Sequence, residues 1–163
     1  MNAERALKLD LARGTRAWAP PRSRMNDWAA VALGRRGEGR EIAVRIVAAR
    51  ESRALNKLWR GKDKPTNVLS FPAPEPLSNK LGRRGMPKDA ALPLGDLVIC
   101  AHVVRQEAIR DRKPLQAHWA HLVVHGALHL VGYDHEAGRL QRLRMERREI
   151  SVLKKFGIGN PYL

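Results

Sequence analysis

The sequence predicts an α+β fold: a small mixed β-sheet packed with helices. Three observations carry this reading. Short stretches of strand character sit mostly in the first hundred residues, longer stretches of helical periodicity fill the second half, and 163 residues suffice for one domain with a sizeable core. A single domain over residues 1–163 is expected.

In chain order, Leu7, Leu9 and Leu11 alternate with Lys8 and Asp10 as in a half-buried strand. A transit peptide is the competing reading of this Arg-rich start, and Glu4 and Asp10 count against it. Beyond the Pro20-Pro21 break, Asn26 or Asp27 can cap a helix running through Leu33, with a loop at Gly34 to Gly39. Glu41 to Val47 places Ile42, Val44 and Ile46 on one face and Arg45 on the other, a strand signal. Glu51 to Arg60 is helical in pattern, and Asp63-Lys64-Pro65-Thr66 is turn chemistry. Asn67 to Phe71 reads as a strand closed by Pro72.

Residues 73–93 are rich in proline, glycine and small side chains, made basic by Lys80, Arg83, Arg84 and Lys88, and are expected to form a flexible loop. Asp96 then precedes Leu97 to Cys100, an apolar run suited to a strand buried on both faces. Val103 to Arg112 reads as a helix that stops before Pro114, and Pro114 can open the next helix. A last helix is expected over Glu136 to Phe156, with Leu140, Leu143, Ile150 and Leu153 on its packed face and Gly157 as its stop.

Composition narrows the function. Lysine and arginine number 31 against 16 acidic residues, a formal net charge of +15. That exceeds what solubility requires and points to a polyanion, nucleic acid first. One cysteine, Cys100, excludes an internal disulfide framework and a cysteine-rich zinc finger, which suits a reducing cytosol. No apolar run approaches the roughly 20 residues of a membrane span, so a soluble, cytoplasmic protein with no membrane partner is expected.

The densest chemistry lies in Ala120-His-Leu-Val-Val-His125-Gly-Ala-Leu-His129-Leu-Val-Gly132-Tyr-Asp-His135. Residues four apart share a helix face, so His125 and His129 can aim two imidazoles at one ion. Gly132 can end the helix in the left-handed conformation and turn the chain back, letting His135 supply a third ligand. Three neutral imidazoles leave a fourth position open, the arrangement of a catalytic rather than a structural zinc site; imidazole suits nickel as well, so zinc at one ion per chain is the expectation. His121 is also one turn from His125, but it lies about 12 Å along the helix from His129, too far to share an ion. It is read as a supporting or core residue, and His118 as exposed.

The offsets of the three histidines and Gly132 resemble the metzincin peptidases, with a zincin-like metal-binding helix, but the glutamate those enzymes carry after the first His is Gly126 here. The string from His125 to His135 is similar to the signature of the YbeY family of metal-dependent endoribonucleases. So are Leu55-Asn-Lys-Leu-Trp-Arg60-Gly-Lys-Asp-Lys-Pro-Thr-Asn-Val-Leu-Ser-Phe71-Pro72 and Leu94-Gly-Asp96-Leu-Val-Ile-Cys100, and the resemblance spans about residues 40–156. It implies cleavage of single-stranded RNA in maturation of the 3′ end of small-subunit ribosomal RNA and in ribosome quality control. It also implies an essential role for Arg60, whose guanidinium can pair with phosphate oxygens in a fixed fork.

Lys64, Arg83 and Arg84 are candidate RNA contacts, and Asp96, Asp134 and His121 are candidate partners of the ligands or proton acceptors, with no choice among them. Eight aromatic residues predict a groove that tracks the backbone more than it stacks bases. A zinc peptidase and a non-catalytic ribosome assembly factor with a structural metal are the alternatives, and the oligomeric state is left open.

Overall fold

A computed structural model describes residues 6–74, 85–87 and 89–163. Among these residues, strands β1 (Lys8–Arg13), β2 (Arg40–Val47), β3 (Val68–Pro72) and β4 (Leu92–Cys100) form one sheet in the order β1-β2-β4-β3. The first three neighbours in that order run parallel, while β3 is antiparallel to β4 and forms an edge. Helices α1 (Arg22–Leu33), α2 (Ala49–Arg60), α3 (Ala101–Arg110), α4 (Leu115–Leu130) and α5 (Arg139–Lys154) complete an α+β fold, with a 3-10 turn at Gly34–Gly37.

The alternation in β2 sets the sheet's inner face. Register pairs Leu9 with Ile42, Val44 with Leu97 and Ile46 with Ile99, and all six are buried. Arg45 points the other way and pairs with Glu51 of α2 at 2.7 Å. Each such fully buried aliphatic side chain contributes about 1.5–3 kcal/mol relative to exposure. Helix α4 lies on this inner face, where an added side-chain carbon at Gly126 would come within 2.9 Å of Leu97. A side chain there would force Leu97 to shift, so glycine suits this close approach of helix and sheet.

Ten of the sixteen residues of α4 are buried, including Trp119, Val123 and Ala127, so α4 is the central helix of the molecule. His121, His125 and His129 form its half-buried stripe.

Several sequence expectations are corrected. The first helix begins at Arg22 rather than after Asn26, because Pro21 is extended (φ −65°, ψ 152°) and leads straight into it, burying Met25 within the first turn. The last helix spans Arg139–Lys154, not Glu136–Phe156, since Gly138 (φ 117°) interrupts the chain after His135. Leu140 is 78% exposed; the buried side of α5 is Met145, Glu149, Val152 and Leu153. Strand β4 starts at Leu92, so Asp96 sits within it and is exposed. No helix among the described residues is long and apolar enough to cross a membrane.

Candidate metal centre

Helix α4 ends at Leu130, and Gly132 takes φ 96°, a backbone conformation open to glycine without a side-chain clash. The turn that follows is tightened by Asp134, whose Oδ1 accepts the Glu136 N–H at 2.8 Å. This returns His135 over the helix end. His129 Nε2 lies 3.2 Å from His125 Nε2 and 2.9 Å from His135 Nδ1, and one nitrogen from each ring falls within 4.8 Å of the others.

A tetrahedral ion bound at about 2.0–2.1 Å to each nitrogen holds them about 3.3 Å apart. The three rings therefore fit one small divalent ion with minor rotation. Burial, reinforced by the neighbouring His125 and His135 rings, lowers the His129 pKa to about 4. Its imidazole is neutral at physiological pH and can offer a lone pair.

Behind the triad stands a residue for which the sequence raised no expectation. Glu149 of α5 is fully buried, and its Oε1 lies 2.5 Å from His125 Nδ1. Tyr162, in the C-terminal segment, donates its hydroxyl to Glu149 Oε2, and His121 Nε2 is 3.5 Å from that oxygen and 3.4 Å from the Tyr162 hydroxyl. Burial alone would raise the Glu149 carboxyl, but the hydrogen bonds from His121 and His125 outweigh it and hold the pKa at about 2. An ionised acceptor at Nδ1 keeps the proton on that nitrogen and leaves Nε2 of His125 free to bind metal. His121, Glu149 and His125 Nδ1 are also close enough to hold an ion, but the hydrogen bonds among them account for that proximity.

The triad opens on a cleft of about 530 Å³ lined by Trp59, Arg60, Asn67 to Pro72, the three histidines and Glu136. Arg60 reaches it from the end of α2, with its guanidinium 3.4 Å from Glu136 Oε1. Glu136, also unforeseen, lies 3.9 Å from His135 Nε2. The free edge of β3 forms part of the wall. Asn67 and Ala73 make hydrogen bonds to β4, so Val68, Ser70 and Pro72 turn their backbone groups outward. The Val68 N–H is taken by Asn67 Oδ1 at 2.6 Å and proline has none, leaving the Ser70 N–H as the donor facing the cleft.

The other sequence candidates sit apart from the triad. His118 is buried rather than exposed, its Nε2 2.7 Å from Glu107 Oε2, because α3 packs a carboxylate against that turn of α4. Lys64 is exposed, and its backbone oxygen accepts a hydrogen bond from Asn56. Asp96 makes no hydrogen bond or ion pair with the triad among the described residues. Arg83 and Arg84, like Lys80 and Lys88, lie outside the described residues.

A buried helix carrying two of the three converging histidines, the third on the turn behind it and an arginine across an open cleft define the class: an α+β protein with the layout of a metal-dependent hydrolase. Comparison with known proteins gives the particular family. The family model described as Endoribonuclease YbeY matches residues 22–157, and the chain belongs to that family. It is 50% identical over 146 residues to Endoribonuclease YbeY of Halorhodospira halophila, covering 90% of each chain. It is 46% identical over 156 residues to Endoribonuclease YbeY of Methylococcus capsulatus, covering 96% of this chain and 95% of that one. A solution structure of a Thermotoga maritima protein shares the fold, with a TM-score of 0.53 at 22% identity over 91% of each chain.

Proposed function

We propose that the protein is a zinc-dependent endoribonuclease specific for single strands, maturing the 3′ end of small-subunit ribosomal RNA and acting in late ribosome quality control in the cytoplasm. The observation that carries this reading is the convergence of His125, His129 and His135 with Arg60 on one cleft, in a chain of net charge +15 that belongs to the YbeY family.

His125, His129 and His135 are the residues that would hold the zinc, which when bound supplies a water of lowered pKa and polarises a phosphoryl oxygen. Glu149 orients His125 through its Nδ1 proton. Arg60 exchanges its contact with Glu136 for two non-bridging oxygens of the scissile phosphate, where its planar fork neutralises charge that grows in the transition state. The Ser70 N–H can donate to the same phosphate from the β3 edge. Lys64, Arg83 and Arg84 would hold flanking phosphates.

A peptide substrate fits this cleft poorly. Strand addition needs a ladder of donors and acceptors along the exposed edge, and among the described residues β3 offers one outward N–H, that of Ser70, beside a proline. The test is incubation of purified protein with labelled single-stranded and duplex RNA, with and without a chelator, alongside metal analysis. Chelator-sensitive cleavage of the single strand is expected; bound metal without cleavage would leave a structural role.

A further inference from the structure

Helix α2 is built inside out. Its buried residues are Ser52 and Asn56, whereas Leu58 and Trp59 are 73% and 65% exposed. The polar pair is explained by the loop it holds. Ser52 Oγ donates to the Thr66 carbonyl and accepts the Thr66 N–H, both at 3.0 Å, and Asn56 Nδ2 donates to the Lys64 carbonyl at 2.8 Å. These bonds fix the entry into β3 and with it the cleft wall.

Trp59 has no comparable packing role. Its indole lines the same cleft as the three histidines, directly beside Arg60 in sequence, and one of its contacts is the Phe71 ring, met edge-to-face with centroids 5.7 Å apart. Leaving so large an apolar surface in water is unfavourable unless something covers it when the protein works. The rest of the cleft, Arg60, the Ser70 N–H and the histidines, offers charge and hydrogen bonds suited to phosphate, and none of these groups senses a base.

We propose that Trp59, braced by Phe71, is a stacking platform for one nucleobase next to the scissile phosphate. This rests on the endoribonuclease reading of the cleft. Every base has a π face, so a single platform accepts any sequence. It requires an unpaired base, because bases in a duplex are already stacked on one another and cannot be splayed onto a side chain without unpairing. A preference for single strands then has a structural source besides backbone flexibility.

The test compares two probes of equal length and charge, a single-stranded oligouridylate and an abasic ribose-phosphate oligomer, titrated in chelator at low salt so that no cleavage occurs. Trp59→Ala is expected to weaken oligouridylate binding roughly 5- to 100-fold, with abasic binding unchanged, and Trp59→Phe to retain most of the affinity. Equal weakening of both probes would make Trp59 a structural residue and overturn the proposal. Unchanged oligouridylate binding would also overturn it and leave the Leu58–Trp59 surface to a protein partner. Cleavage by the unaltered protein is scored separately: discrimination between the probes without any cleavage would sink the nuclease reading and keep the platform, whereas cleavage without discrimination would do the reverse.

Discussion

Glu149 and His125 are 24 residues apart in sequence, yet Glu149 Oε1 lies 2.5 Å from His125 Nδ1 in the middle of the packed helices. A fully buried carboxylate is costly unless its oxygens are satisfied, and these are satisfied by His125, His121 and Tyr162. The pair ties the candidate metal centre to α5 and to the C-terminal segment. Glu149→Gln should preserve the fold, since the amide oxygen still accepts from Nδ1, yet weaken metal affinity about 10- to 100-fold. Competition against a chromophoric chelator measures this. Unchanged affinity with an intact circular dichroism spectrum would reduce Glu149 to a packing residue.

Replacement of His125, His129 or His135 with Ala should each bring bound metal far below one ion per chain, because two imidazoles make a much weaker site than three. His118→Ala should keep full occupancy and lose stability instead, since it removes one of the hydrogen-bond partners of Glu107. Metal analysis with urea denaturation separates the two outcomes. Full metal content in His135→Ala would disprove the ligand set.

The Arg60 side chain is 38% exposed and, among the described residues, its side-chain partner is Glu136 at the surface, so its removal should leave fold and metal intact. Arg60→Ala should slow cleavage about 100- to 1000-fold, the range for loss of one charge-stabilising donor. Arg60→Lys should recover little, because an ammonium cannot reproduce the fork. Single-turnover cleavage at saturating protein distinguishes this from weaker binding, and full activity in Arg60→Ala would return the residue to the surface.

The elements that could be read in the sequence are those whose periodicity is local. Ile42, Val44 and Ile46 announce β2 because alternate burial is visible within seven residues, and the spacing of His125, Gly132 and His135 announces a helix, a turn and a return. What was not legible depends on distant partners. Nothing near Glu149 marks it as the companion of His125; the available clue was a glutamate spaced with Met145 and Val152 on the apolar side of α5. The burial of His118 is not visible locally, because its partner Glu107 lies on the preceding helix. The start of α1 carries no capping side chain to mark it, because Pro21 leads into the helix without one.

Glu107 also joins three elements that hold the cleft wall. It accepts hydrogen bonds from Asn67 Nδ2 at 3.1 and 3.2 Å and lies 2.7 Å from His118 Nε2, while Asn67 in turn accepts the Cys100 N–H and the Val68 N–H. Burial would raise the Glu107 carboxyl, but the hydrogen bonds from His118 and Asn67 outweigh it, and its pKa falls below the ordinary glutamate value. A group whose pKa is lower folded than unfolded adds stability above the unfolded value and loses it as pH falls through the folded one. At pH 7 Glu107→Gln should therefore be less stable than the unaltered protein, by about 1–2 kcal/mol for a partly exposed charged acceptor. The gap should narrow as pH falls below about 4.5, since the unfolded carboxylate then takes up a proton while the native one still resists it, and the amide is indifferent. Urea midpoints of the two proteins at about pH 7, 5 and 3.5 provide the measurement, with metal removed by chelator so that loss of bound metal at low pH does not contribute. A gap that stays constant across this range would show that Glu107 acts through packing alone.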